Sequence, residues 1–307
     1  MPKNKHNIHD KFVREAFSDP KRAAASFRTI LPKVLVDQLQ LDQLAVLKES
    51  YIDIELNEFF SDLVFEVPIL KDAAVKVDVV LLFEHKSVPD KHVLIQVGYY
   101  MFAHYFKAIK NKENLKPIIP IIYYQGKRKW NAPQLSSLFK SYHVEIKTYL
   151  PEIKHVFVAL HSLSDEVLLA MRNDLMAAAM VTQKWKNKPD VLLEEFVKVF
   201  SIFAEEIDDR NFFNTIVVYM LRTTELKPDS VEKLIESIPP NVKENIMTTY
   251  NQIIQKGKIE GEQLGIQKGK IEVVLNANQQ GLPLDMIANI TELDVKEVKN
   301  ILEEHRK

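Results

Sequence analysis

Two carboxylates and one amine are spaced so that they could share a divalent cation and steer a water molecule. Asp62 sits in the run Ser61-Asp62-Leu63-Val64-Phe65-Glu66-Val67, and Glu84-His85-Lys86 closes a second apolar run that begins at Asp78. Side chains alternate along a strand, so Glu84 and Lys86 share a face with Asp78, Val80 and Leu82, while Val79, Leu81, Phe83 and His85 take the other. Pro68 and Lys71-Asp72 suit a reversal of direction between the two runs. A hairpin folded about Lys71 to Ala73 sets Asp62 opposite or diagonal to Glu84, about 5 to 8 Å apart at Cβ. That separation suits two carboxylates around one hard cation.

Facing carboxylates repel unless a cation or a shared proton intervenes, and Lys86 offers one positive charge against two negative. Mg²⁺ would complete the set: it takes one or two protein carboxylates, keeps several waters and leaves room for phosphate oxygens. It lowers the pKa of a bound water, which Lys86 could orient, or Lys86 could offset charge developing on phosphorus. Spacing alone also fits an ordinary strand end whose Glu and Lys reach solvent.

The 307 residues, 46% hydrophobic, suffice for one large domain and an appendage. With no cysteine, disulfides, thiol catalysis and Cys-ligated zinc are excluded. The N-terminal segment lacks an apolar signal core and no apolar run approaches the roughly 18 residues of a membrane span, so the expected compartment is the cytoplasm, with no membrane partner. The net charge of −1 means that any nucleic-acid contact must use a local patch. One candidate is Lys107, Lys110, Lys112, Lys116, Lys127, Arg128 and Lys129, interrupted only by Glu113. It reads either as a phosphate-backbone surface or as two solvated loop rims.

The elements needed to position these groups can be read in order. Asp10 to Leu31 has helical apolar spacing and stops at Pro32; Leu44 to Tyr51 suggests a weak first strand. Ser87-Val88-Pro89-Asp90 resembles a capping box opening a helix to about Lys110, with Gln96 roughly two turns in. Pro117 to Tyr124 reads as a strand whose prolines argue against a central place. His155 to Leu160 reads as a further strand.

Helix, hairpin, helix, strand with Asp62, Glu84-His85-Lys86 and Gln96 resembles the PD-(D/E)XK nuclease superfamily, whose core is a restriction-endonuclease-like mixed sheet flanked by helices. More narrowly, His9-Asp10-Lys11-Phe12, Ser18-Asp19-Pro20, Leu31-Pro32, Ser61-Asp62-Leu63, Glu84-His85-Lys86-Ser87 and Ile119-Pro120-Ile121-Ile122-Tyr123-Tyr124-Gln125-Gly126 resemble the recombination-promoting nuclease, or YhgA-like transposase, family. The resemblance covers roughly residues 6 to 275. It implies Asp62 and Glu84 as metal ligands, Lys86 beside the attacking water, and Gln96 as a supporting polar residue. Many members carry Gln where this chain has Lys86, the older superfamily form. Glu15 could match an acid that some members carry on the first helix, but a solvated helix face explains it as well.

From Ser164 the pattern is helical: Glu166 to Lys184, Val191 to Glu206 and Asn211 to Leu221, with joints at Pro189, Pro228 and Pro239-Pro240. Gly257, Gly261, Gly265 and Gly269 are four of only seven glycines and recur every four residues. Interior glycine costs a helix about 1 kcal/mol relative to Ala, so a compensating contact is expected, and the stripe reads either as the pairing face of a homodimer or as a flexible helical stalk. Leu284 to Arg306 suggests two short helices with Ile287, Ala288, Leu293 and Val298 placed somewhat as in a helix-turn-helix, with Glu292 where the turn glycine belongs.

The expectation is an α/β protein with a nuclease-like core over 1–162, a helical extension over 163–249, a glycine-repeat helix over 250–280 and a short helical tail over 281–307. The resemblance implies a Mg²⁺-dependent (or other divalent-cation) DNA endonuclease with Asp62, Glu84, Lys86 and Gln96 as catalytic residues, Asp62 and Glu84 holding the metal, and DNA meeting Lys107, Lys110, Lys127, Arg128 and Lys129. It also implies a 5′-phosphate product and a role in recombination or mobile-element movement. The competing class is a non-catalytic nucleic-acid-binding or assembly protein on the same scaffold. A DDE-type transposase is disfavoured by the helix-first order and by Glu-x-Lys.

Overall fold

A computed structural model describes residues 8–47, 51–52, 58–59, 63–69, 78–201, 209–227, 229–230, 232, 236 and 240–305. Asp62 and the predicted reversal about Lys71 to Ala73 lie outside the described residues. The chain divides into two compact units, Met1–Ile246 and Met247–Lys307.

The first unit is built on a mixed five-stranded sheet flanked by helices. Its strands, in spatial as well as chain order, are β1 (Ala45–Leu47), β2 (Leu63–Pro68), β3 (Asp78–Lys86), β4 (Ile118–Tyr124) and β5 (Val156–Ala159). β1, β2 and β3 run antiparallel, and β4 and β5 join in parallel. Leu63 pairs with Phe83 and Val64 with Leu82.

The predicted single helix from Asp10 to Leu31 is two helices, α1 (Ile8–Ser18) and α2 (Pro20–Ile30). Asp19 breaks it: its backbone is extended, its side chain accepts from the Arg22 amide at 2.8 Å, and Pro20 fits the first helical position. Their apolar residues cover one sheet face, where Phe17 and Phe27 pack on Phe65, Phe83 and Tyr123. The opposite face belongs to α3 (Val93–Asn111), whose Val93, Leu94, Val97 and Tyr100 pack with Val64, Val80, Leu82 and Ile122.

Two expectations about this region are corrected. The helix does not open with a capping box at Ser87: it begins at Val93 after His92, which makes no side-chain cap, and so Gln96 stands in the first turn. Asp90 instead accepts from the His92 amide at 2.8 Å and pairs with Lys86. β4 is also interior despite Pro120. The Gln125 amide donates to Lys86 O, so by alternation the odd-numbered residues of β4 bond toward β3. Pro120 therefore turns its missing N–H toward β5, whose pairing starts one residue later at Ile121–Val156. No ladder bond is lost.

After β5 the helices are α4 (Asp165–Leu169), α5 (Asp174–Trp185), α6 (Pro189–Ser201) and α7 (Arg210–Thr223). The predicted helix from Glu166 to Lys184 is broken at Asn173, which caps α5 by accepting from the Met176 amide at 2.8 Å. A further helix, α8 (Pro240–Gln279), runs 40 residues and carries the glycine repeat. In the second unit its Val274 joins Ile287, Ala288 and Val298 of α9 (Leu284–Thr291) and α10 (Val295–Glu304) in a small core. Glu292 occupies the left-handed turn position, φ 53°, in place of the expected glycine.

Candidate active site

The carboxyl-terminal end of β3 carries the chemistry. Burial of Val80, Leu81, Leu82 and Phe83 fixes the strand, and its alternation aims Glu84 and Lys86 to the α3 side and His85 to the α1 side. Glu84 is only 3% exposed. Lys86 Nζ lies 3.2 Å from Glu84 Oε1 and 3.0 Å from Asp90 Oδ2, and donates to Gln96 Oε1 at 2.8 Å. Gln96 Nε2 in turn donates to the Tyr100 hydroxyl at 2.9 Å, which fixes the orientation of the amide.

Burial works to discharge Lys86, but the Glu84 charge and hydrogen bonds to Asp90 and Glu84 outweigh it, and the ammonium pKa is raised. Burial likewise opposes ionisation of Asp90, yet the His92 amide and Lys86 leave its pKa lowered. On the other face His85 Nδ1 lies 3.2 Å from Asp10 Oδ1, and this contact, ahead of the remaining influences, holds Asp10 below the usual carboxylate range. Asp10, Glu84, Lys86, Asp90, His92 and Trp130 line a cleft of about 830 Å³.

The structure thus brings Glu84, Lys86 and Gln96 together and adds Asp90 and Asp10. Asp90 closes the expected capping box at Ser87, and its position four residues after Lys86 also suits the ion pair that the two make. Glu15 is exposed, 3.8 Å from Arg22. The basic residues separate. Lys107 and Lys110 lie on α3 beyond Gln96, about 17 and 21 Å along the helix axis, and Lys116 donates to Glu66 at 2.6 Å. Lys127 and Arg128 follow β4 beside Ser87 to Pro89, and Lys129 is an exposed neighbour.

Among the described residues no group of three or more His, Asp or Glu is gathered as a metal site. A hard cation such as Mg²⁺ needs only one or two protein carboxylates. The buried Glu84 carboxylate at the wall of an open cleft fits that requirement in donor type, with Asp62, outside the described residues, as the second expected ligand.

The model of the family described as "Putative transposase, YhgA-like" matches residues 7–211. The chain belongs to this family. It is also 20% identical, over 95% of its length and 96% of the relative's, to a protein of Escherichia coli (strain K12) named "Inactive recombination-promoting nuclease-like protein RpnE". No solved structure matches. No helix among the described residues is long and apolar enough to cross a membrane.

Proposed function

We propose that this family member is a divalent-cation-dependent DNA endonuclease that hydrolyses phosphodiester bonds by water attack. The observation that carries the reading is the Lys86 ammonium set 3.2 Å from the buried Glu84 carboxylate at a strand end that opens into a cleft. Glu84 and Asp62 would hold Mg²⁺, which when bound acidifies a water and draws charge from the phosphate oxygens. Glu84, held rigidly by the strand, presents its carboxylate to the cleft. Lys86, positioned by Asp90 and Gln96, keeps a permanent positive charge beside it and can donate to an attacking water or to a phosphate oxygen. Gln96, itself held by the Tyr100 hydroxyl, fixes the Lys86 ammonium beside Glu84.

The test is nicking of supercoiled plasmid with Mg²⁺ by the wild type, Asp62→Ala, Glu84→Gln and Lys86→Met. Cleavage should need the metal and fall by at least about a hundredfold in each variant, the scale of losing a preorganised electrostatic group. Equal nicking by wild type and variants would sink the assignment. A second reading, DNA binding without cleavage, is favoured by the engagement of Lys86 with Glu84, Asp90 and Gln96 together, and by the word "inactive" in the name of the relative RpnE. It predicts oligonucleotide binding with no Mg²⁺-dependent nicking.

A further inference from the structure

Beside the carboxylate cleft, sharing its rim of Ser87, Val88 and Pro89, lies a second pocket of about 730 Å³. Its other lining residues are His9, Tyr124, Gln125, Gly126, Lys127, Arg128, Lys186 and Asn187, with no acid among them. At its base Lys186, 7% exposed, directs its ammonium at three partners: Gln125 Oε1 at 3.2 Å, the Tyr219 hydroxyl at 3.3 Å and His9 Nδ1 at 3.4 Å. None of the three is a carboxylate. A buried ammonium without an acid partner is costly, and the cost is removed when an anion completes the site.

A second group points to the same ligand. Gln125 is 5% exposed, and its Oε1 is committed to Lys186 and, at 3.5 Å, to Tyr219. That fixes the amide so that Nε2 faces away from them, and this buried N–H donor has no acceptor among the described residues. The loop is tied down around it: the Gln125 amide donates to Lys86 O at 3.0 Å and the Tyr124 hydroxyl donates to Arg128 O at 2.6 Å. Burial, ahead of repulsion from Lys127, lowers the Lys186 pKa to about 8, which leaves it mainly charged at neutral pH.

We infer that this pocket binds a backbone phosphate of the nucleic-acid strand, one next to the bond held at Glu84 and Lys86, through Lys186, Gln125 Nε2, Lys127 and Arg128. The inference rests on the endonuclease reading and assigns its substrate contact: the acids face the metal and the reacting bond, and the bases hold the neighbouring phosphate.

The experiment is anisotropy of a fluorescein-labelled DNA oligonucleotide with EDTA present, over a range of salt concentrations. Lys186→Met, checked for folding by its thermal melt, should weaken binding about tenfold, the worth of one charged hydrogen bond. It should also lower the salt slope by about one phosphate contact. With the unaltered protein, single methylphosphonate substitutions along the strand should find one position whose neutralisation weakens binding. That position should have no further effect in Lys186→Met. A folded Lys186→Met with unchanged affinity and slope, or a flat methylphosphonate scan, overturns the pocket assignment alone. No binding by the wild type overturns the pocket assignment, and Mg²⁺-dependent nicking of plasmid decides the endonuclease reading separately.

Discussion

Lys86 Nζ sits 3.2 Å from Glu84 Oε1 across two residues of one strand face, and the same ammonium reaches Asp90 Oδ2 at 3.0 Å. The Lys86 side chain is 15% exposed, that of Glu84 4% and that of Asp90 31%. One cation thus offsets two acids in a partly dry setting, and the energetics of this end of the sheet follow from it.

Lys86→Met leaves Glu84 and Asp90 without that counter-charge and should destabilise the fold by about 2 to 3 kcal/mol near neutrality, below the full cost of breaking a buried pair because Asp90 is partly solvated. Asp90 has a lowered folded pKa, so its contribution is present above the ordinary 3.8 and lost as pH falls through the folded value. Lys86 has a raised one, so its contribution is present below 10.5 and lost as pH rises through the folded value. Urea melts of wild type and variant should therefore differ most between these limits. A difference that does not shrink in acid would refute the ion-pair account.

His9 gives an acid-side prediction. Burial first, then the positive charges of Lys186 and His85, lower its pKa from 6.5 to about 4, against the opposing pull of Asp10. The unfolded chain therefore takes up the proton at higher pH than the folded one, and stability is lost as pH falls from 6.5 toward 4. With the ring half-buried, a discounted loss of about 2 kcal/mol is expected over that window. His9→Gln should flatten the profile of stability against pH there, measured by chemical denaturation at a series of pH values.

Gly126 holds β4 against the end of β3. A Cβ at this position would stand 2.5 Å from Ser87 O and would clash with the Tyr124 ring. The carbonyl belongs to backbone tied to the sheet and cannot swing aside as a flexible side chain could. Gly126→Ala should cost about 1 to 3 kcal/mol, with a lower urea midpoint and an unchanged slope.

Much of this fold is legible in the residues, and the exceptions have local causes. The apolar runs over 63–68 and 78–86 mark the hairpin because burial on both faces demands such runs. The one-residue choice of register does not show, since several pairings satisfy the same alternation. Helix joints at Asp19 and Asn173 were hidden because the apolar spacing continues across them; the signal was the capping residue followed by a helix-favouring turn. Pro120 misled because its tolerance depends on where β5 begins pairing. At the site, Glu84, Lys86 and Gln96 could be read from strand and helix period. Asp90 was within reach of the same reading, since its partners Lys86 and His92 lie within four residues of it; Lys186 and Gln125 were not, because contacts between segments far apart in the chain decide their partners.

The glycine repeat offers the last prediction. Gly257, Gly261, Gly265 and Gly269 all lie on α8, and a Cβ added to any of them meets nothing within 4 Å. Among the described residues no contact compensates their low helix propensity, so replacing all four with Ala should stabilise the helix by about 0.5 to 1 kcal/mol per site. The rise would be seen as higher helicity and a later melt by circular dichroism. The homodimer proposed for this stripe makes a separate demand, because close backbone approach cannot accommodate Leu. Light scattering should show the mass halved in Gly261→Leu, Gly265→Leu. An unchanged mass removes the glycines from any dimer contact and leaves them as residues that only loosen a long helix.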